Sequence, residues 1–303
     1  MLWDRQPPGG TPVVAENSPT VLRRWIAFTL RRLRQEAGKS RRDVVDLAGC
    51  TLAHVSHIET GRNLPAPLEC DALLEFYGVP ERTEFFRELL HGARKGRDWW
   101  TSKTFLGAVP SWFDLYLGLE SSSVAVRSFD ALVVPGLFQT ADYARAVIEG
   151  SVPELAGNEV RRRVELRLAR QQLLRREPDP LAVSAVIDES ALRRLVGSPA
   201  VLLAQLARLA ELAELSTIDI RVLPANVGAH TGLDGTFTMM IFPHELPGYP
   251  GAVYVETRLR GHYYEEPAEI AEYHEVFTRL RTQAGSPSDA PATIARIAKE
   301  IVA

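Results

Sequence analysis

Only two cysteines, Cys50 and Cys70, occur in the 303 residues, with no CxxC spacing and no second cluster. That pattern excludes a disulfide framework and a thiolate zinc site, and it fits a reducing cytoplasm. Long apolar runs are missing as well. The longest clear one, ALVVPGLF at 131–138, falls far short of the roughly 20 residues that a membrane-spanning helix needs. The N-terminal stretch MLWDRQPPGGTPVVAENSPT places Pro and Gly where a signal peptide would need an unbroken apolar core. Residues 1–19 are therefore expected to be a flexible leader on a soluble chain with no membrane association. Catalytic signatures are equally scarce: there is no GxSxG, no P-loop and no dinucleotide-binding fingerprint. HELPG at 244–248 begins like a zinc-protease motif, lacks the second histidine, and carries Pro247 where the motif needs helix. Asp188 and Glu189 follow a strand as catalytic carboxylates do elsewhere, but Asp188 as a helix cap is the simpler account. No enzymatic activity, no metal and no cofactor are expected.

A net charge of -3 argues at first against a nucleic-acid binder, yet the charge is segregated. Residues 22–64 carry nine Lys or Arg against four Asp or Glu, a local balance of +5 that leaves -8 for the rest of the chain.

Hydrophobic periodicity divides the chain in two. From Val21 to Ala37 the apolar positions Leu22, Trp25, Ile26, Leu30 and Leu33 recur at helical spacing, and Gly38 supplies the stop. Ser40 caps a second helix that ends at Gly49, and Thr51 caps a third that ends at Gly61. Two more follow: LECDALLEFYG, with Leu68, Leu73 and Phe76 inward, and ERTEFFRELLHGA, with Phe85, Phe86, Leu89 and Leu90 inward. These five helices define an expected all-helical domain at 20–97. Beyond it, SSVAVRSFDALVV, LAVSAVID, TIDIRVLP, GTFTMMIFP and AVYVET read as strands, with helices between them and a last helix after a Pro/Ser linker. The expected fold is α+β: a helical N-terminal domain, then a domain at 98–303 with a mostly antiparallel sheet and packed helices.

The segment CTLAHVSHIETGR at 50–62 combines a buried pair, Val55 and Ile58, with an outer face of Ala53, Ser56, His57 and Thr60. A short turn joins the second helix to the third, as in a helix-turn-helix. In that motif the second helix of the pair lies in the DNA major groove. Small outer side chains let a helix approach the groove floor: Leu52 and Ala53 can touch thymine methyls, and His57 can hydrogen-bond a guanine or phosphate acceptor.

The stretch LRRLRQEAGKSRRDVVDLAGCTLAHVSHIETGRNLPAP resembles the DNA-binding domain of XRE-type, phage-repressor-like transcriptional regulators. The resemblance implies double-stranded DNA as a partner and base contacts by Leu52, Ala53 and His57. It implies phosphate contacts by Arg41, Thr51 and Arg62, and an ion pair between Arg34 and Glu59 that ties the first helix to the third. Arg41 stands where glutamine is common in that family and Val45 where a small alanine is usual. One such helix reads few bases, so a homodimer is expected.

The remainder, through VVPGLFQTADYARAVI, RLARQQLL, IDESALRRLVG, LAQLARLAELA, VLPANVGAHTGLDGTFTMMIFP and VYVET, is similar to the C-terminal domain of many actinomycete XRE-type regulators, some of them antitoxin-like. That resemblance implies a small co-encoded protein partner; the alternative is a small-molecule effector in an apolar pocket. Three features stay open between a structural and a binding role. They are the Pro135-Gly136 to Gln139-Thr140 junction, the arginine-rich helix at 158–177, and the loop at 224–235 with His230 and Asp234.

Overall fold

The computed structural model describes residues 18–105, 107–110, 112–242, 249 and 251–302. These form two compact units, one of residues 18–99 with Tyr249, the other of residues 100–242 and 251–302. HELPG at 244–248 and residues 1–17 of the expected leader lie outside the described residues.

The first unit is helical: α1 (Pro19–Glu36), α2 (Arg41–Ala48), α3 (Leu52–Glu59), α4 (Pro67–Phe76) and α5 (Thr83–Lys95). The start of α1 corrects the leader boundary. Ser18 caps the helix by accepting from the Thr20 amide, and Pro19 takes the first position, where its missing N–H is no loss. Both ends of the unit meet at Asp98, whose carboxylate accepts from Ser18 Oγ and, at 2.7 Å, from Thr20 Oγ1. Trp25 fills the centre, fully buried, edge-on to Phe85 at 5.6 Å and tilted against Phe86 at 5.5 Å. Leu68 departs from expectation: it is 80% exposed, while Cys70, Leu73 and Leu74 form the buried stripe of α4. The i, i+3, i+4 spacing of those three sets the packing face and turns Leu68 away from it.

The second unit holds α6 (Asp114–Ser122), β1 (Ala125–Asp130), α7 (Ala141–Ser151), α8 (Gly157–Arg170), β2 (Ala182–Asp188), α9 (Glu189–Arg193) and α10 (Pro199–Ala213). It continues with β3 (Ile218–Leu223), β4 (Phe237–Ile241), β5 (Ala252–Glu256), β6 (Gly261–Tyr264), α11 (Pro267–Gln283) and α12 (Ala290–Val302). The sheet runs β3-β2-β1-β4-β5-β6. Helical crossovers make the β1–β2 and β2–β3 pairs parallel, and the other three pairs are antiparallel. The fold is therefore α+β with a mostly antiparallel sheet.

Two sequence readings are refined. The helix expected at 158–177 is α only to Arg170 and tightens into a 3-10 turn over Gln171–Arg175. The Pro/Ser linker also contains a 3-10 turn, Pro287–Asp289, in which the Asp289 carboxylate accepts from the Ser286 amide.

Strand parity sorts the core onto two faces. Val126, Val183, Ala185, Ile187, Ile220 and Val222 pack with α7, α10 and α12. The opposite face, with Phe129, Val186, Leu223, Phe237, Met239 and Val253, packs on Phe277 and Leu280 of α11.

Candidate nucleic-acid interface

The turn between α2 and α3 is set by two local choices. Gly49 adopts φ +62°, a left-handed conformation open to glycine at little cost, and its amide closes α2 onto the Val45 carbonyl at 2.9 Å. Thr51, extended at φ -100°, accepts from the His54 amide at 3.1 Å and so starts α3. At the other end of α2, Ser40 and Asp43 exchange backbone hydrogen bonds in a capping box, and those bonds hold the exposed Asp43 carboxyl below its usual range.

Helix α3 buries Val55, Ile58 and Glu59. Its N-terminal turn is open: Thr51 and Ala53 are exposed and Leu52 is 50% exposed. His57 is half-buried, and Arg62 Nη1 lies 3.3 Å from His57 Nε2. A guanidinium can only donate, so that hydrogen bond makes Nε2 the acceptor and leaves the imidazole proton on Nδ1. The tautomer gives His57 a donor of the kind that guanine N7 and O6 accept.

Glu59 anchors this helix from below. Its side chain is 3% exposed and takes Arg34 Nε at 2.5 Å, Arg34 Nη2 at 3.2 Å and Arg41 Nε at 2.8 Å. Arg34 also donates to the Lys39 carbonyl at 2.6 Å. Burial pushes the Glu59 carboxyl up, but the hydrogen bonds from Arg34 and Arg41 outweigh it and hold the group below its ordinary range. The Arg34 guanidinium is raised in turn by its bond to Glu59. The structure thus brings Arg34, Arg41 and Glu59 together. Arg41, which the resemblance sets on phosphate, shares the carboxylate while its side chain stays 44% exposed at the head of α2. One residue escaped the sequence reading: His54 Nε2 lies 2.7 Å from Glu69 Oε1, and Glu69 Oε2 accepts from the Ala66 amide, which couples α3 to the start of α4. Its only signal was the acidic residue at the third position of α4, where a capping carboxylate is common.

Each of the three open features of the second unit has some of its residues engaged internally. At the Pro135–Thr140 junction, the Thr140 amide donates to Gln205 Oε1 at 2.7 Å, Gln205 Nε2 to the Phe138 carbonyl at 2.9 Å, and Gln139 Nε2 to the Val134 carbonyl at 2.7 Å. Of the backbone N–H groups at this junction, that of Thr140 is thus taken up internally, while the other two bonds satisfy carbonyls. In α8, Arg170 is buried and bonds Glu120 twice at 2.7 Å. Burial opposes its charge, yet Glu120 and then Tyr116 hold the guanidinium well above its usual range. Arg167 donates to Gln139 Oε1 at 2.7 Å; burial, then Arg170 beside it, pulls it down to about 10. In the 224–235 loop, His230 Nδ1 accepts from the Gly232 amide, the ring packs edge-on to Phe129, and Nε2 lies 3.8 Å from Asp188 Oδ2. Asp188 also caps α9 at the Ser190 amide. Among the described residues no helix is long and apolar enough to cross a membrane.

No curated protein and no solved structure matches the chain. Two family models do. One, described as a helix-turn-helix domain, matches residues 25–85 and spans all of α2, α3 and α4. The protein is accordingly a DNA-binding helix-turn-helix regulator. The other, described as a domain of unknown function, DUF5753, matches residues 113–296, which cover the sheet and most of its helices. Since that match takes in more than half of its length, the chain belongs to the DUF5753 family, with a helix-turn-helix domain at its N-terminal end.

Proposed function

We propose that α3 enters the major groove of double-stranded DNA as the recognition helix of an XRE-type regulator. Leu52 and Ala53 meet thymine methyls, His57 donates to a guanine, and Arg41, Thr51 and Arg62 contact phosphates. The observation that carries this reading is the open first turn of α3: Thr51, Leu52 and Ala53 are exposed over a buried Val55 and Ile58. Half of Leu52 stays exposed at the helix N-terminus, apolar surface that a groove floor would cover. The protein acts in the cytoplasm as a homodimer on a two-fold operator, without enzymatic activity, and its DUF5753 domain docks a small co-encoded protein in the antitoxin-like manner.

Operator selection followed by gel-shift titration tests the DNA reading. His57→Ala should weaken the selected operator by about 1 kcal/mol, near fivefold, and relax base preference at one position. Arg41→Gln should weaken all sequences alike and lower the salt slope by about one. Unchanged affinity in both variants would mean that another surface reads DNA.

A second reading of the DUF5753 domain, as the receiver of a small-molecule effector, is favoured by a cavity beside α11. The lining of that cavity is basic.

A further inference from the structure

The α11 face of the sheet is apolar only in part. Where β1, β2 and β3 lie in register, Arg127, Ser184 and Asp219 form a polar row across three strands, and Arg221 follows Asp219 on the same face. A sheet face under a helix normally buries apolar side chains, as Phe129 and Val186 do one step further along. Beside this row a cavity of about 500 Å³ opens against α11, within the size range of small-molecule sites. Its lining holds three guanidinium groups, from Arg127, Arg221 and Arg281, together with His274 and the buried ring of Phe277. No acidic residue is among the described residues that line it.

The charges are held in place by the fold. Asp219 accepts from Arg221 Nε at 3.1 Å and from Arg281 Nη2 at 3.2 Å, so one carboxylate fixes two guanidinium groups. Arg127 Nη1 lies 3.0 Å from His274 Nδ1, which ties β1 to α11 at the cavity wall. Burial and then the neighbouring Arg281 lower the Arg127 guanidinium from its ordinary value. Three guanidinium groups are thus gathered around one carboxylate, a local surplus of positive charge in a chain whose sequence outside residues 22–64 is net -8. Composition does not bring them together; the register of β1 with β3 and the placement of α11 do.

We propose that this cavity binds a small organic anion, either a phosphate ester or a polycarboxylate, with Arg127, Arg221 and Arg281 as its ligands. Guanidinium groups match both oxyanions with paired, charge-assisted hydrogen bonds, and Phe277 supplies an apolar wall for the organic part. The site rests on the effector reading for its role but not for its existence.

Isothermal titration calorimetry on the full chain, in low-chloride buffer, with inorganic phosphate, pyrophosphate and citrate as ligands tests the site. Saturable one-to-one binding of pyrophosphate or citrate with Kd below about 1 mM is expected, and the stronger of the two identifies the chemistry. Arg127→Gln and Arg281→Gln should each weaken it about tenfold or more, consistent with loss of one charge-assisted pair. Arg161→Gln, on the far exposed side of α8, should not. Arg281 is half exposed, so Arg281→Gln leaves a folded protein even if Arg127→Gln does not. Absence of saturable heat with all three ligands, or equal binding by Arg281→Gln, overturns the site. Gel shifts with and without the bound anion separate the two claims: binding without a change in operator affinity keeps the site and removes the effector reading.

Discussion

Glu59→Gln is the most informative single change in the first unit. The carboxylate is 3% exposed and holds Arg34, whose side chain is 9% exposed, together with Arg41 at 44%. Glutamine keeps the shape and removes the charge. Arg34 is then a buried guanidinium facing a neutral amide, and breaking a buried pair in this way costs about 3–5 kcal/mol. Domains of this kind are stable by about 5–15 kcal/mol, so the unit should be left marginal. At roughly 4–8 °C per kcal/mol for a domain of this size, its melting temperature should fall by at least about 12 °C. Arg41→Gln removes the exposed arm of the same network, which is worth about 0–1 kcal/mol, and serves as the internal contrast. Hydrogen exchange at the α1 and α3 amides reads the first unit separately from the second. The pH dependence gives a second test. Because the folded carboxyl sits below its unfolded value, its contribution is complete above about pH 4.3 and disappears as pH falls through the lower folded value. Wild type should lose stability in that window through this group, and Glu59→Gln should not. A Glu59→Gln protein within about 1 kcal/mol of wild type would refute the reasoning, because Arg34 would then have found other compensation.

Three further outcomes follow from the geometry. Gly49→Ala should cost about 1–2 kcal/mol in urea denaturation, entirely from the left-handed backbone, since no atom lies within 4 Å of the added methyl; a neutral result would mean the turn re-forms another way. Arg170→Met alone should destabilise the second unit by about 3–5 kcal/mol by stranding Glu120, and adding Glu120→Leu should recover part of that loss. Non-recovery in the double variant would show that packing, not the uncompensated charge, carries the effect. Asp130 is buried with Ser128 Oγ donating to it at 2.6 Å, and burial pushes its carboxyl up to about 7. A raised folded pKa favours the neutral form, so the stability it confers is whole below about pH 3.9 and is lost as pH rises through about 7. Asp130→Asn should flatten that decline, which a melting series from about pH 4 to about pH 8 would detect.

How much of this was legible in the sequence follows from the range of each interaction. Ser40, Gly49 and Thr51 act within three residues of their own positions, and the sequence reading located α2 and α3 through them. The strands with β-branched alternation, β1 to β5, were legible for the same reason. β6 was missed because GHYY is short and half-buried at an edge, with neither alternation nor an apolar run to mark it. Leu68 was misassigned because two helical registers fit α4, and only tertiary packing on Cys70, Leu73 and Leu74 selects one. The role of the α8 arginines stayed open in the sequence because the partner that buries Arg170 is fifty residues earlier in the chain. Arg127, Arg221 and Arg281 meet through strand register, and no window of sequence contains all three.

Residues 284–289 carry the chain from α11, on one face of the sheet, to α12 on the other. They wrap the open edge of β3, where the Gly285 amide donates to the Val222 carbonyl at 3.1 Å. Both helices therefore hang from the same edge strand like the two ends of a strap over a rail. A shift of α11 along the sheet must either stretch that strap or slide α12 by a similar distance. The Gly285 amide, pinned at the rail, is the natural place to watch such a movement by hydrogen exchange.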